Sequence, residues 1–217
     1  MQKVLGVSGL PIPNSNTDRA LKSVLEATGL ETEFVKLSDY TVAPCKACLG
    51  CVKTNRCTIQ DDGIILAEKV KAAAALVIAG FTPYATLESR TKACMERLYP
   101  LQHRKGFMAG KPGAAISTSA PPEGHEQMPE VAEMAVHAVA AYMMEEGMQF
   151  VGALKLRGNV PCVRCGFGDE CHMSGVKMIY GSTATVDCMG INQFERQASH
   201  VERVRTLGQK IAEALCN

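Results

Sequence analysis

The sequence lacks a long hydrophobic run and any concentration of charge of one sign. Its longest apolar stretch, residues 72–81, is about half as long as a helix that crosses a bilayer, and residues 1–10 lack the hydrophobic region of a signal peptide. Lysine and arginine number 23 against 22 aspartate and glutamate, and no basic run resembles a surface that binds a phosphate backbone. These absences predict a cytoplasmic protein with neither a membrane nor a nucleic acid as a partner.

Cysteine, in contrast, is abundant, with ten residues in a chain of 217. A reducing compartment keeps thiols reduced, and a chain of this length can bury a core without disulfide bonds. The ten cysteines therefore indicate metal ligands, redox groups or core residues rather than a disulfide framework.

Apolar strand-like segments alternate with segments of helical periodicity along the whole chain. Strands are predicted at 3–10, 32–37, 75–80, 113–118 and 148–156, and helices at 17–29, 61–73, 87–98, 129–147 and 199–215. This alternation is typical of a doubly wound α/β fold with a five-stranded parallel sheet. In such a sheet the loops that follow the strands leave from one edge, where ligands bind.

The loop after the first strand has the composition of an anion-binding loop. It ends a strand in hydroxyl and amide side chains and opens a helix, which presents backbone N–H groups and a positive dipole. The candidate phosphate contacts are Ser8, Asn14, Ser15, Asn16 and Thr17. The alternative is that Ser15 or Asn16 only caps the helix. The chain has neither GxxxxGK[ST] nor GxGxxG, which excludes the two common nucleotide-binding loops.

Four cysteines fall within thirteen residues after the second strand. Cys45, Cys48, Cys51 and Cys57 have the spacing C-x2-C-x2-C-x5-C. Thiolates are soft ligands that suit zinc or an iron–sulfur cluster. A four-thiolate zinc site usually joins two separated CxxC pairs, whereas three cysteines at successive x2 spacing resemble the ferredoxin run, so the spacing favours a [4Fe–4S] cluster over zinc.

Taken together, these segments resemble the flavodoxin-like NADPH-dependent FMN reductases, and within them the iron-sulfur flavoproteins of anaerobes. The matching features are the Ser8–Thr17 loop ending in Asn-Thr, residues 82–98, residues 110–120 around the fourth strand, and the cysteine loop. The resemblance covers roughly residues 1–155. The first loop departs from the family pattern, since it is longer and has Leu10, Pro11 and Ile12 where an arginine is common.

The resemblance implies particular residues for each cofactor. It implies FMN phosphate at Ser8, Asn16 and Thr17, and all four cysteines of the 45–57 loop on one cluster. It also implies that the isoalloxazine ring lies between two loops, which contribute Pro83, Tyr84, Ala85 and Thr86 on one side and Ser117, Thr118, Ser119 and Gly124 on the other. Residues 1–157 would then form a flavodoxin-like FMN domain, and residues 158–217 a C-terminal extension.

A second cysteine group lies in that extension. Cys162, Cys165 and Cys171 repeat the x2 and x5 spacings, with His172 and Cys188 as candidates for a fourth ligand. A second cluster or metal, reactive redox thiols and incidental cysteines all remain open. His125 and Glu126 are candidates for proton transfer to a substrate, the alternative being a solvated loop. Cys94 is expected in the core, and Cys216 at the exposed end of the chain.

The resemblance implies a redox enzyme that contains FMN and at least one [4Fe–4S] cluster. A cluster carries one electron at a time and FMN one or two, so the pair would connect a ferredoxin-like donor to a small acceptor. A homodimer or homotetramer is implied as well. The alternatives are an NAD(P)H-dependent FMN or quinone reductase with a structural metal, and a metal-binding module without flavin. The visible spectrum of anaerobically purified protein distinguishes all three.

Overall fold

A computed structural model describes residues 2–125 and 130–216. The five strands are β1 (Lys3–Ser8), β2 (Glu31–Lys36), β3 (Ala75–Phe81), β4 (Pro112–Ser119) and β5 (Gln149–Arg157). The helices are α1 (Asn16–Ala27), α2 (Gly63–Ala72), α3 (Ser89–Arg97), α4 (Val131–Glu145), α5 (Cys162–Cys165), α6 (Gly175–Tyr180), α7 (Val186–Met189) and α8 (Ala198–Cys216). All strand pairs are parallel, in the order β2-β1-β3-β4-β5. This is the strand order of flavodoxin-like folds, so the predicted fold class is confirmed.

The sheet has a hydrophobic core on each face. The first core packs α2, α3 and α4 against side chains such as Leu5, Leu76 and Ile78. The second packs α1 and α8 against the alternate side chains, such as Val4 and Val77. Because β3 and β4 are covered on both faces, they are buried almost throughout, which explains their continuous apolar sequence.

The predicted elements agree with the structure except near their ends and in the C-terminal extension. The predicted start of α4 at Pro129 falls outside the described residues, and the described helix begins at Val131. Gly29 follows the end of α1 with a φ of 66°, as expected of a glycine that terminates a helix. The three short helices α5 to α7 were not predicted, because helices of four to six residues show no usable periodicity.

Helix α8 returns the chain from the extension to the second core. Its Val204, Leu207 and Ile211 are buried there with residues of α1 and β5. The division into residues 1–157 and 158–217 stays a prediction. Within residues 2–125 and 130–216, no helix has both the length and the apolar character needed to cross a membrane.

Helices α1 and α8 approach each other closely at Gly208. A Cβ atom there would lie 2.6 Å from both the Val24 carbonyl oxygen and the Ala27 Cβ. We expect Gly208→Ala to lower the free energy of unfolding by about 1–3 kcal/mol, although alanine normally favours a helix over glycine. Urea denaturation measures the change. The exposed neighbouring change Gln209→Ala should stay within about 0.5 kcal/mol of the parent. Equal stability of Gly208→Ala and the parent would contradict this close approach.

Candidate functional site

The N-terminus of α1 lies at the carboxyl edge of the sheet, directly after the predicted anion-binding loop. Ser15 caps the helix: its side chain accepts a hydrogen bond from the Asp18 backbone N–H, and the Asp18 carboxylate accepts one from the Ser15 N–H. The N–H groups of Asn16 and Thr17 have no acceptor within the helix, because the first turn of an α-helix leaves its donors free. This end of α1 therefore presents backbone donors and a positive dipole, which favour an anion.

Two of the predicted phosphate contacts form buried hydrogen bonds within the protein. Ser8 Oγ donates to Asp18 Oδ1 over 2.5 Å, and Thr17 Oγ1 lies 2.8 Å from Thr118 Oγ1. Ser8 and Thr17 are completely buried. Their hydroxyl groups join the first loop to α1 and to the end of β4. The arrangement therefore favours an anion held by backbone N–H groups above these side chains.

Three basic side chains from separate elements reach backbone carbonyl oxygens of the same loop. They are Arg19 of α1 on Asn14, Lys36 of β2 on Ile12, and Arg90 of α3 on Gly9. Arg19 also pairs with the Glu195 carboxylate, and Lys36 with the Asp18 carboxylate. The sequence analysis missed all three, because they are distant from the loop in sequence. They surround a loop that itself contains no arginine between residues 9 and 15.

The loop after β3 has an unusual backbone conformation. Tyr84 and Ala85 have φ values of 50° and 61°, in the left-handed region that side chains other than glycine rarely adopt. The Tyr84 side chain is fully exposed. The turn around it is closed by a hydrogen bond of 3.3 Å from the Thr86 N–H to the Pro83 carbonyl oxygen. Strained backbone of this kind is concentrated at ligand sites, where the surrounding structure maintains it.

The end of β4 and the residues after it form the next loop along this edge. Ser117 is 1% exposed, and its Oγ has no hydrogen-bond partner within the described part of the chain. Ser119 Oγ donates to the Pro121 carbonyl oxygen over 3.2 Å. Gly124 has a φ of 73°, and its N–H donates to Glu130 Oε1 over 2.9 Å. A buried hydroxyl without a protein partner, such as that of Ser117, is unusual and needs a water molecule or a ligand to complete its hydrogen bonds.

These three loops fit a flavin mononucleotide. The α1 N-terminus matches the phosphate, the Ser117 hydroxyl offers a hydrogen bond to a polar group, and Tyr84 offers an exposed aromatic face. In this strand order the flavin site of flavodoxins lies between β1 and β3, which is where the first two loops leave the sheet.

The cysteine loop is held at its base by a buried ion pair. Arg97 of α3 is 1% exposed and donates to both carboxylate oxygens of Asp61, over 2.6 and 2.7 Å. The same guanidinium donates to the carbonyl oxygens of Ala43 and Ile59, on either side of the loop. Farther out, Asn55 Nδ2 donates to the Pro100 carbonyl oxygen over 2.8 Å. The loop is therefore attached to the domain independently of its cysteines.

Cys45, Cys48, Cys51 and Cys57 all line one pocket between this loop and the residues after α3. None of the four forms a disulfide bond. Ala47 N–H donates to Cys45 Sγ over 3.4 Å. A hydrogen bond from the Gly50 N–H lowers the pKa of Cys48, whereas burial raises the pKa of Cys51. The predicted ligand set is thus brought together in space.

Two further features of this pocket fit an anionic cluster. Ala47 and Leu49 have φ values of 49° and 55°, in the left-handed region. Where left-handed residues alternate with right-handed ones, successive backbone N–H groups point into one concavity, as at many iron–sulfur sites. Arg97 lines the pocket, and its Nε has no hydrogen-bond partner within residues 2–125 and 130–216. The Cys57 thiol lies close enough to raise the pKa of Arg97, after the larger effect of Asp61.

A zinc ion and a four-iron cluster would require different arrangements of the four thiols. Among the described residues, no three His, Cys, Asp or Glu side chains are grouped so that they could hold one metal ion. Four thiolates on one zinc ion, at about 2.3 Å each, would place their sulfur atoms about 3.8 Å apart. A four-iron cluster spreads its thiolates more widely, because each one binds a different iron atom.

The C-terminal extension covers the carboxyl edge of the sheet and is joined to it through Asn192. The Asn192 N–H donates to Asn159 Oδ1 over 2.7 Å, and its Nδ2 donates to the Arg157 carbonyl oxygen over 2.8 Å. Its own carbonyl oxygen accepts from Asn16 Nδ2 over 2.9 Å, and its Oδ1 accepts from Gln197. Asn16, predicted to contact phosphate, thus connects the first loop to the extension through its side chain.

The extension also lies against the loop after β4. The Tyr180 hydroxyl donates to the Ala120 carbonyl oxygen over 3.0 Å, and His125 Nε2 lies 2.8 Å from the Ile179 carbonyl oxygen. The candidate proton-transfer residue His125 therefore contacts the extension, whereas its neighbour Glu126 falls outside the described residues. Cys94 is buried in the first core, and Cys216 is exposed, as predicted.

The second cysteine group lies in that extension. Cys162 and Cys165 are at the two ends of α5, and Cys171 follows in the next turn. Cys188 is on α7, which packs against α5. No disulfide bond joins these cysteines.

Comparison with known proteins gives a family match over most of the chain. The family described as NADPH-dependent FMN reductase matches residues 2–153. An iron-sulfur flavoprotein from Methanosarcina thermophila is 30% identical over 153 residues, which is 69% of this chain and 77% of the relative. An iron-sulfur flavoprotein from Methanocaldococcus jannaschii is 27% identical over 217 residues, 98% of this chain and 97% of the relative, so that alignment includes the extension.

Solved structures support the same fold at low identity. The structure of RosB with a bound riboflavin phosphate intermediate has a TM-score of 0.67 at 15% identity, and the match covers 100% of this chain and 79% of RosB. An FMN-dependent NADH-azoreductase from Bacillus anthracis, in complex with FMN, has a TM-score of 0.61 at 13% identity, with 98% and 100% covered. At these identities the similarity supports the flavodoxin-like fold alone.

The ion pair at the base of the cysteine loop predicts a specific pH dependence. Hydrogen bonds from Arg97 lower the pKa of Asp61 from 3.8 to about 2. A carboxylate whose pKa is lower in the folded protein than in the unfolded chain stabilises the fold at pH values above the unfolded-state pKa. For Asp61 this contribution is about 2 kcal/mol, and it is lost as the pH falls from about 4 to about 2. We expect Asp61→Asn to be less stable at pH 7 by about 3–5 kcal/mol, because it leaves Arg97 buried without its partner, and to lose less stability on acidification.

Urea denaturation at pH 7 and pH 3 tests this expectation. The exposed residue Asp39 provides the matched control Asp39→Asn, which should follow the parent protein at both pH values. If Asp61→Asn were as stable as the parent at pH 7 and equally sensitive to acid, the ion pair would not stabilise the loop.

Proposed function

Because this chain belongs to the NADPH-dependent FMN reductase family, within the iron-sulfur flavoproteins, and is therefore an oxidoreductase, we propose that it transfers electrons between a one-electron donor and a small acceptor. A ferredoxin-like protein is the proposed donor, with NAD(P)H as the alternative, and a homodimer or homotetramer is the proposed assembly. The proposed cofactors are FMN at the loops after β1, β3 and β4, and a [4Fe–4S] cluster in the cysteine loop. The flavin supplies one- and two-electron chemistry, and the cluster supplies one-electron transfer.

One observation carries this proposal. Cys45, Cys48, Cys51 and Cys57 line a single pocket, beside the buried guanidinium of Arg97 with its unsatisfied Nε–H. A cluster bound by four thiolates is anionic, and its sulfur atoms accept hydrogen bonds. It would therefore complete the hydrogen bonding of Arg97 and use the N–H groups that Ala47 and Leu49 turn inward.

The phosphate of FMN would lie at the α1 N-terminus. Its oxygens would accept hydrogen bonds from backbone N–H groups around Asn16 and Thr17, while Ser8 fixes the loop beneath through Asp18. The first loop has no arginine of its own, and we assign the positive charge that would contact the phosphate to Arg90. Arg90 lies on α3 and donates a hydrogen bond to the Gly9 carbonyl oxygen of the loop. Arg90 is the best candidate because Arg19 and Lys36 are already paired with carboxylates.

The isoalloxazine ring would lie between the loops after β3 and β4. Tyr84 is fully exposed and would lose that exposed aromatic surface against the ring, which accounts for the strained backbone at Tyr84 and Ala85. Ser117 would donate its free hydroxyl to a polar group of the flavin. Pro83, Thr118 and Gly124 would shape the two walls.

Replacing Arg90 tests the phosphate site. We expect Arg90→Gln to weaken FMN binding roughly 10- to 100-fold, because a hydrogen bond to a charged group is worth about 1.5–3 kcal/mol. Fluorescence titration of the flavin-depleted protein measures FMN and riboflavin affinity separately. Riboflavin lacks the phosphate, so its affinity should be unchanged.

The matched control for this experiment is Lys92→Gln on the same helix. Lys92 is exposed and pairs with Glu96 over 3.0 Å, so its loss should leave both affinities unchanged. An unaltered FMN affinity in Arg90→Gln, or an equal loss for FMN and riboflavin, would remove Arg90 from the phosphate site.

Replacing Cys48 tests the first cluster. We expect Cys48→Ser, analysed after anaerobic purification, to lose about four iron and the matching acid-labile sulfide per chain while it keeps FMN, because the two cofactors use different loops. The control Cys216→Ser, at the exposed end of α8, should keep all its iron. Full retention of sulfide in Cys48→Ser, or stoichiometric zinc without sulfide in the parent protein, would rule out the cluster.

A further inference from the structure

Residues 158–193 fold into three short helices with almost no hydrophobic core. Val160 and Val176 are the two aliphatic side chains buried there, whereas Phe167, Met173 and Met178 are 70%, 73% and 63% exposed. Helices α5, α6 and α7 have four, six and four residues, too few to be stable in isolation. An isolated scaffold of this size and composition usually needs a crosslink or a metal to hold one structure.

Two glycine-dependent turns follow the first two cysteines of this segment. Cys162 and Cys165 lie one helical turn apart on α5, which ends at Gly166 with a φ of 82°. The chain then folds back so closely that a Cβ atom on Gly168 would lie 2.8 Å from the Cys162 carbonyl oxygen. Only glycine allows both features, and together they return the chain toward α5 before Cys171.

Each of the three sulfur atoms accepts a backbone hydrogen bond. Phe167 N–H donates to Cys165 over 3.4 Å, Met173 N–H donates to Cys171 over 3.3 Å, and Gly175 N–H donates to Cys162 over 3.2 Å. In the first two cases the donor is two residues after the cysteine, as it is for Ala47 and Cys45 in the first cysteine loop. Hydrogen bonds of this kind to thiolates are a regular feature of iron–sulfur sites, where they set the cluster potential.

We propose that Cys162, Cys165 and Cys171 bind a second iron–sulfur cluster, and that residues 158–193 fold around it. The x2 and x5 spacings repeat those of the first cysteine loop, which favours the same kind of group at both sites. These cysteines would bind three irons of a four-iron cluster. This site goes beyond the proposed function, which requires only the first cysteine loop.

The second cluster would lie beside the proposed flavin loops. The segment that holds it is bonded to the loop after β4 through Tyr180 and Ala120, and to the first loop through Asn192 and Asn16. Neither contact involves the 45–57 loop. The second site is therefore attached to the same edge of the sheet independently of the first.

Iron and sulfide analysis of anaerobically purified, flavin-containing protein tests the proposal. The parent should contain about eight iron per chain, and the double variant Cys162→Ser, Cys165→Ser about four. Cys216→Ser is the matched control and should keep all eight. Cys48→Ser changes the iron content of the first cluster alone. Comparing it with the double variant therefore shows which of the two proposed sites holds no cluster.

A second measurement covers the case in which the double variant fails to fold. In the native parent protein, alkylation followed by mass spectrometry should leave Cys162, Cys165 and Cys171 unmodified while Cys216 reacts, and mild oxidative removal of iron should make all three reactive. Backbone hydrogen exchange in residues 158–193 should increase when the three cysteines become reactive. The second cluster would be overturned if the parent contained about four iron per chain and the double variant the same. Zinc bound at this segment without additional sulfide would also overturn it. So would ready alkylation of all three cysteines in the native parent.

Discussion

Parallel strands impose the arrangement on which every other feature of this molecule depends. Because β1 to β5 run in one direction, the loops that follow them leave the sheet together, although they are distributed from residue 9 to residue 161. Both faces of the sheet are covered by helices, so this edge is where polar and cysteine-containing segments can gather. The anion-binding end of α1, the strained turn at Tyr84, the free hydroxyl of Ser117 and both cysteine groups are all products of this one constraint.

Within that arrangement, the first cysteine loop depends on a buried charge. Arg97 would be costly to bury alone, and Asp61 compensates it with two hydrogen bonds. The guanidinium also satisfies carbonyl oxygens on both sides of the loop, so one side chain connects the helix after β3 to the segment after β2. Arg97 also lines the pocket of the four cysteines, and its Nε has no partner among the described residues.

The sequence predicted the sheet and its long helices because their signals are local. Apolar runs such as residues 75–80 and the periodicity of α8 depend only on neighbouring residues. It did not predict the role of Arg97 or Arg90, since both are ordinary polar positions of an amphipathic helix until the fold brings them to distant loops. It predicted phosphate contacts at Ser8 and Thr17, and these stay predictions; in the structure the two hydroxyl groups bond to Asp18 and Thr118. A hydroxyl group in a sequence does not reveal which partner the fold will place beside it.

The attachment of the cysteine loop at its base has a consequence for how the holoprotein is assembled. Contacts at Ala43, Ile59 and Asp61 bring the two ends of the loop together through protein groups alone, so the entropy of closing it is lost during folding. A scaffold protein that delivers a preformed cluster would then meet four cysteines already confined to a small volume. The proposed cluster would then be inserted after folding, into a loop whose two ends are already in place.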